Sequence, residues 1–272
     1  MVSPFRTAAL CCLSTSLAGA CSSGDGAQNP PVFGGEGAVV TKEQPLPPAS
    51  SASLADNGPC KGPAPQSDTA LFDDFEDGDN KAFKGFEREG WWWSASDTTP
   101  DQKLLPAKEQ FAAERLPTAE ATKDNLFAAH FAAEGQKEWG AVWGSTLAWS
   151  NGGIKCPFNA SLFEGVSFRV KGKGTVRFYF GQPETIGADG GGQCKERCYD
   201  SYGKVLFLTE QWQEVSIPFD KLQQEGWGTQ VRWDPTRLIQ ISFKADPKVL
   251  PVDFWVDDIK FLPKSGAAAK AP

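Results

Sequence analysis

Two stretches near the middle of the chain alternate strictly between apolar and polar positions. Over 163–171, Val166, Phe168 and Val170 alternate with Ser167, Arg169 and Lys171. Over 175–181, Val176, Phe178 and Phe180 alternate with Arg177, Tyr179 and Gly181. A period of two, with aromatic and β-branched residues on one phase, predicts half-buried strands. The same signal, less regular, predicts strands at 69–76, 90–96, 126–133, 204–208, 213–218, 238–245 and 252–262. The run from Trp139 to Trp149 is interrupted by glycine and predicts a strand with a bulge. Asp77-Gly78-Asp79-Asn80 and Asp97-Thr98-Thr99-Pro100 mark turns. Only 107–115 and 219–225 carry a helical pattern, and both are short. Many short strands with turn signals between them predict an all-β sandwich with short helices.

The two ends differ from this middle. Residues 1–20 have the pattern of a secretory signal: Arg6, an apolar stretch from Thr7 to Leu17, then the small residues Ala18-Gly19-Ala20. Leu17-Ala18-Gly19-Ala20-Cys21 resembles a bacterial lipobox, which makes Cys21 the expected lipidation site. That resemblance, with Ser22 following the cysteine, implies an exported protein, an outer-membrane lipoprotein or otherwise a periplasmic or secreted one. Residues 21–66 form a linker, because 26 of these 46 positions are Gly, Pro, Ser or Ala and cannot bury enough apolar surface to order themselves. Residues 67–263 make one globular domain, and 264–272 are a flexible tail.

Composition narrows the function. The chain has 272 residues, 27 Lys+Arg against 34 Asp+Glu, and a net charge of −7, which argues against a nucleic-acid partner. A single histidine, His130, excludes His-rich metal sites and weakens triad chemistry. His130 lies between small residues and is expected to be structural. No Gly-x-Ser-x-Gly turn is present, and Val170-Lys-Gly-Lys-Gly-Thr175 joins two strands without the helix a phosphate loop needs. No spacing marks a glycosidase carboxylate pair among the 34 acids. A non-catalytic module is expected, with a carbohydrate-active enzyme as the remaining alternative.

Outside 1–21 four cysteines remain, which suits an oxidising compartment. Cys194 and Cys198 are close in a Gly-rich loop and are expected to pair, leaving Cys60 with Cys156. One close pair and two distant singles make poor spacing for zinc.

The strand-borne motifs resemble a known family. Leu71-Phe-Asp-Asp-Phe-Glu-Asp-Gly-Asp79 opens the domain and Phe254-Trp-Val-Asp-Asp-Ile-Lys-Phe261 closes it. Between them lie Phe163-Glu-Gly-Val-Ser-Phe-Arg-Val-Lys-Gly172, Trp212-Gln-Glu-Val-Ser-Ile-Pro-Phe219 and Leu238-Ile-Gln-Ile-Ser-Phe243. In this order they resemble the galactose-binding-like jelly rolls, most closely family-11 carbohydrate-binding modules. The resemblance implies a jelly-roll β-sandwich, a polysaccharide or glycan ligand, and neighbouring first and last strands. It also implies a structural calcium near those strands, with Glu76 and Asp257 as leading ligands. Hard carboxylate oxygens suit that ion.

Sugar rings stack on flat aromatic faces. On a strand Trp91 and Trp93 share one face and Trp92 takes the other. Six or more of the ten tryptophans are expected in the core. Trp92, Trp139 and Trp143 are the expected ligand-binding tryptophans, with Arg169, Arg177 and Tyr179 on the polar phase of successive strands. Asp97 and the 187–200 loop are expected to rim the site. A structural or protein-interaction module of the cell envelope is the alternative, with a protein partner in place of sugar.

Overall fold

The computed structural model describes Cys60 and residues 69–82, 90–148, 150–151 and 153–264. The signal segment, Cys21, Trp149, all of the linker except Cys60 and all of the tail except Lys264 lie outside the described residues.

Two antiparallel sheets pack face to face. One contains β1 (Leu71–Asp73), β3 (Lys103–Leu105), β4 (Glu114–Arg115), β5 (Phe127–Glu134), β9 (Phe163–Lys173), β12 (Gln213–Pro218) and β14 (Val252–Pro263). Its order is β12-β9-β14-β5-β3, with β1 beside β14 and β4 beside β5. The other sheet runs β11 (Tyr202–Phe207), β10 (Thr175–Gly181), β13 (Gln240–Ala245), β6 (Ala141–Thr146) and β2 (Trp92–Ser96). A small ribbon pairs β7 (Ser150–Asn151) with β8 (Ile154–Lys155). This is the expected jelly-roll sandwich.

The expected helices are not present. Residues 107–115 form turns and end in β4, and 219–225 contain only the 3₁₀ turn Phe219–Lys221. Phe111 is the one buried residue of 107–115, and Phe219 and Leu222 are the buried pair of 219–225, too few in either segment to make an apolar stripe.

Inward phases fill the space between the sheets. Phe131, Trp143, Phe168, Phe178, Phe180, Phe243, Phe254 and Phe261 are fully buried. Only Trp92 and Trp143 of the nine described tryptophans are buried, so phenylalanine fills this core, contrary to the expectation for tryptophan.

Two local devices set the architecture. After β9, the chain crosses from one sheet to the other at Gly174, where φ is +104°. Just before it, a side chain on Gly172 would meet Phe254 Cα at 2.5 Å. The Lys-Gly-Lys-Gly turn therefore sends β9 and β10 to opposite sheets. In β14 the register against β9 shifts between Asp257 and Lys260, with Asp258 at φ +53°. This bulge ends the pairing with β5, which stops at Val256, and precedes Ile259 and Lys260, which pair with β1.

Beneath the first strand lies a buried carboxyl. Asp73 accepts from Trp92 Nε1 at 2.6 Å and from the Phe75 N–H at 2.8 Å. Burial pushes its pKa from 3.8 to about 8, against those hydrogen bonds and with help from Asp77 and Asp74. A raised acid pKa means the folded state holds the proton that the unfolded chain releases. Stability from this group is fully present below about pH 4 and is lost as pH rises towards about 8. Between pH 5 and 8 the domain is expected to lose on the order of 3 kcal/mol, and Asp73→Asn to flatten most of that slope. Urea unfolding across this range checks it; an unchanged slope in the variant would remove Asp73 as the cause.

Candidate functional site

The outer face of the five-stranded sheet gathers the most chemistry. Register places Trp93 opposite Gly144, Gly144 opposite Ser242, Ser242 opposite Tyr179, and Tyr179 opposite Gly203. Two aromatic residues thus flank two positions with little or no side chain. The indole of Trp93 leans over Gly144, where an added Cβ would meet its Cζ2 at 2.7 Å. Trp91 precedes β2 on the same phase, is 43% exposed, and has Lys81 Nζ 5.1 Å from its ring.

Polar groups lie at one end of this row and beside it. At one end Lys155 Nζ sits 4.4 Å over the Trp93 ring and donates to Gln240 Oε1 at 2.5 Å. Burial pulls the Lys155 ammonium down from 10.5 to about 8. Tyr179 is buried, which pushes its phenol up to about 12, while hydrogen bonds with Ser242 and Gln240 oppose the shift. Beside the row, two residues along β13 from Ser242, Lys244 pairs with Asp246 at 2.6 Å. There Arg177 donates to the carbonyls of Ser201 at 3.1 Å and Gln223 at 2.5 Å.

The 187–200 loop lies against this face. Ile186 packs with Tyr179 and Ile239, and Gly191 accepts from the Lys155 N–H at 2.9 Å. The Cys194–Cys198 disulfide closes the loop, and Cys60–Cys156 joins β8 to the segment before the domain, the pairing expected from sequence. Tyr199 donates its phenol proton to Asp189.

The expected site residues divide. Arg177 and Tyr179 stand on this face. Arg169 does not, because β9 belongs to the other sheet; it ion-pairs with Asp257 at 3.3 Å and Asp258 at 3.6 Å and covers Trp212. Trp92 points into the core against Phe75 and Phe111, with its N–H on Asp73. Trp143 is fully buried and donates to the Leu105 carbonyl at 2.8 Å. Neither can stack on a ligand. Asp97 is also buried. Burial alone would raise its pKa, but hydrogen bonds from the Thr99 hydroxyl and the N–H groups of Glu138, Gly140 and Thr99 hold it well below the usual carboxylate range. It organises a turn rather than rimming a site. Trp139 is 42% exposed on the β5–β6 turn, outside the Trp93–Tyr179 row.

Trp93, Lys155, Gln240 and Ser242 were not chosen from sequence. Alternation identified Trp91 and Trp93 as sharing a face. In β2, however, the inward residue after Trp92 is Ser94 and the outward one after Trp93 is Ala95, so polarity there does not say which face is core.

On the opposite outer face His130 is structural. It stacks on Trp255 at 4.2 Å and lies between Glu114 at 3.0 Å and Asp253 at 2.8 Å. Nearby, Glu76 Oε1 accepts from the N–H groups of Leu126 and Phe127, and Asp257 accepts from Asn125 Nδ2 at 2.8 Å. Burial raises Asp257 to about 6. Among the described residues Asn125 Oδ1 is buried without a partner. Hard oxygens and an orphaned carbonyl fit a hard cation in donor type. Among the described residues no three His, Cys, Asp or Glu side chains gather to hold a metal.

A β-sandwich with a polar, aromatic-flanked outer sheet face is the architecture of a carbohydrate-binding module. The chain belongs to the carbohydrate binding domain 30 family, whose model matches residues 79–263. That domain is a binding rather than a catalytic unit. No curated protein matches the chain. Among solved structures, it is similar to a family 11 carbohydrate-binding module from Clostridium thermocellum in complex with a β-1,3-1,4-mixed-linked tetrasaccharide. The identity is 18% over 71% of this chain and 95% of that one, with a TM-score of 0.42. It is also similar to the family 30 module of a cellulosomal cellulase of the same organism, at 19% identity over 69% and 98%, with a TM-score of 0.40.

Proposed function

We propose that this protein is a non-catalytic, envelope-tethered module that binds polysaccharide on the outer face of the five-stranded sheet. The observation that carries the site is the row Trp93, Gly144, Ser242, Tyr179, with exposed Trp91 beside it. Exposed Trp91 and part-buried Trp93 offer the flat rings, and Gly144, Ser242 and Tyr179 form the buried floor beside them. Rings supply contact area with few rotors to immobilise.

Affinity electrophoresis of the full chain in gels containing soluble polysaccharides tests this. Trp91→Ala and Trp93→Ala are each expected to weaken retardation about 30-fold, as loss of a central aromatic contact does. Trp139→Ala is expected to leave it unchanged. Normal binding by both Trp91→Ala and Trp93→Ala would move the site off this face. Exposed Val205 and Phe207 on edge strand β11 favour the second reading, an envelope protein-interaction module. That reading is supported if no glycan retards the chain and a defined envelope protein binds it.

Two further features belong to this proposal. Calcium would be held by Glu76 and Asp257 with Asn125, and would neutralise their charge and tie the first strand to the last. If so, adding calcium to chelator-treated protein raises Tm by several degrees; an unmoved Tm ends the idea. Export and lipid attachment at Cys21 rest on the lipobox resemblance and the linker, and the mass of the mature N-terminal peptide tests them.

A further inference from the structure

We infer that the chain holds polysaccharide at a second site, a recess beside β11 where Trp227 offers a ring, and that this site takes a neutral, hydroxyl-rich sugar segment. The inference rests on the reading of the protein as a glycan binder and adds a point of attachment away from Trp91 and Trp93.

The recess is open to solvent. Arg177, Lys204, Val205, Lys221, Gln223 and Glu225 border a space of about 490 Å³. Small-ligand pockets run from about 300 to 1,000 Å³. Apart from Arg177 all six of these residues are exposed, so a ligand reaches them without displacing any part of the chain. Lys204 and the Gln223 amide have no partner among the described residues.

Trp227 stands beside this recess and is held in place. It is 44% exposed at the tip of the turn Glu225-Gly-Trp-Gly-Thr229. The buried Asp200 carboxylate accepts from the N–H groups of Glu225 at 2.7 Å, Gly226 at 2.8 Å and Gly228 at 3.0 Å. Gly226 has φ +88°, and a side chain on Gly228 would meet Asp200 Cβ at 2.2 Å, so the turn needs both glycines. Arg197 donates to the Trp227 carbonyl, and the indole Nε1 donates to Glu225 Oε2 at 3.0 Å. A large ring is thus fixed at the surface by its own turn, and binding on it costs little further ordering.

Polarity selects the ligand class. Protein interfaces are depleted in Lys and Glu at their centre. Here both line the recess, with Val205 the one large apolar side chain among them. An ionised carboxylate only accepts hydrogen bonds. Glu225 takes one from Trp227, and its Oε1 faces Arg177 at 3.8 Å. A carboxylate or phosphate on the ligand would be repelled by Glu225. A sugar hydroxyl donates to Glu225 and accepts from Lys204 or Gln223, while its ring lies on the indole.

The two sites are separate. Ala95, Val142, Lys244, Arg177 and Val205 share one row across the five strands, and Trp91 lies four residues before Ala95. Val205 is therefore about 19 Å from Trp91 across the sheet and about 13 Å along it, or about 23 Å in all. A polymer that engages both points gains from their linkage, because the second contact is made at high effective concentration.

The test uses the full chain in gels containing mixed-linkage β-glucan, xyloglucan or galactomannan, three neutral polysaccharides. Trp227→Ala is expected to weaken retardation by the bound polysaccharide about 10-fold, and Trp227→Phe, which keeps a ring, to retain most of it. The double variant Trp91→Ala with Trp93→Ala is expected to keep a residual retardation that adding Trp227→Ala removes. Melting curves like the parent's show that the variants are folded. A Trp227→Ala chain retarded as strongly as the parent, or a double variant whose retardation Trp227→Ala does not change, overturns the inference and leaves the Trp91–Trp93 site standing. No retardation by any of the three polysaccharides overturns the second site, and no retardation by any glycan at all overturns both.

Discussion

Trp143→Ala is expected to cost about 3–5 kcal/mol, a large share of the stability of a domain of this size. The indole is fully buried, lies 5.5 Å from the Phe131 ring in a stacked arrangement, and meets the edge of Phe254 at 5.3 Å. Removing it leaves a cavity that surrounding rings in two rigid sheets cannot close. It also leaves the Leu105 carbonyl without the N–H it accepts at 2.8 Å, a second cost of order 1 kcal/mol. Trp91→Ala, at a 43% exposed position, is expected to change stability by less than about 0.5 kcal/mol. Urea unfolding of the two variants separates a tryptophan that holds the fold from one available to a ligand. A loss below 1 kcal/mol at Trp143 would show that the core repacks around the gap.

Removing the Cys60–Cys156 disulfide is the second large effect. The bridge closes 96 residues of chain. In the chain-entropy account a loop of about 100 residues stabilises by about 4.7 kcal/mol. Cys60→Ser with Cys156→Ser is therefore expected to lose about 4–5 kcal/mol. The Cys194–Cys198 bridge spans only four positions, and the same account gives about 2 kcal/mol for it. Denaturant midpoints of the two double variants give the ordering. Equal losses would show that native packing, rather than loop closure, sets the stabilisation. The short bridge has its own consequence at the site, since it closes the loop that lies on Lys155 and Tyr179.

How much of this was legible in the sequence depends on the strand. In β9 and β10 the inward phase is uniformly apolar, so the pattern located both elements; 175–181 and 213–218 match the observed strands. Strands of two or three residues, such as β3, β4, β7 and β8, are too short to show a period. Which sheet each strand joins was not legible, because alternation reports a buried phase and not the layer it faces. Arg169 and Arg177 look equivalent along the chain, yet Gly174 between their strands puts them on opposite outer faces. The choice of Trp92 failed for a related reason. Trp92 and Trp93 differ only in direction, and their neighbours Ser94 and Ala95 carry the reverse of the expected polarity. Lys155 could not be singled out from sequence, since its partners Trp93 and Gln240 lie 62 and 85 positions away.

The pairing of β1 with β14 has a practical consequence for how the domain can be mounted. Both strands belong to the seven-stranded sheet, and the aromatic row lies on the outside of the other one. The domain's entry and exit strands are therefore on the layer facing away from the row. A bead, sensor surface or fused protein attached after β14 takes hold behind the sandwich, whereas the segment before the domain is fastened by the Cys60–Cys156 bridge next to Lys155, on the side of the row.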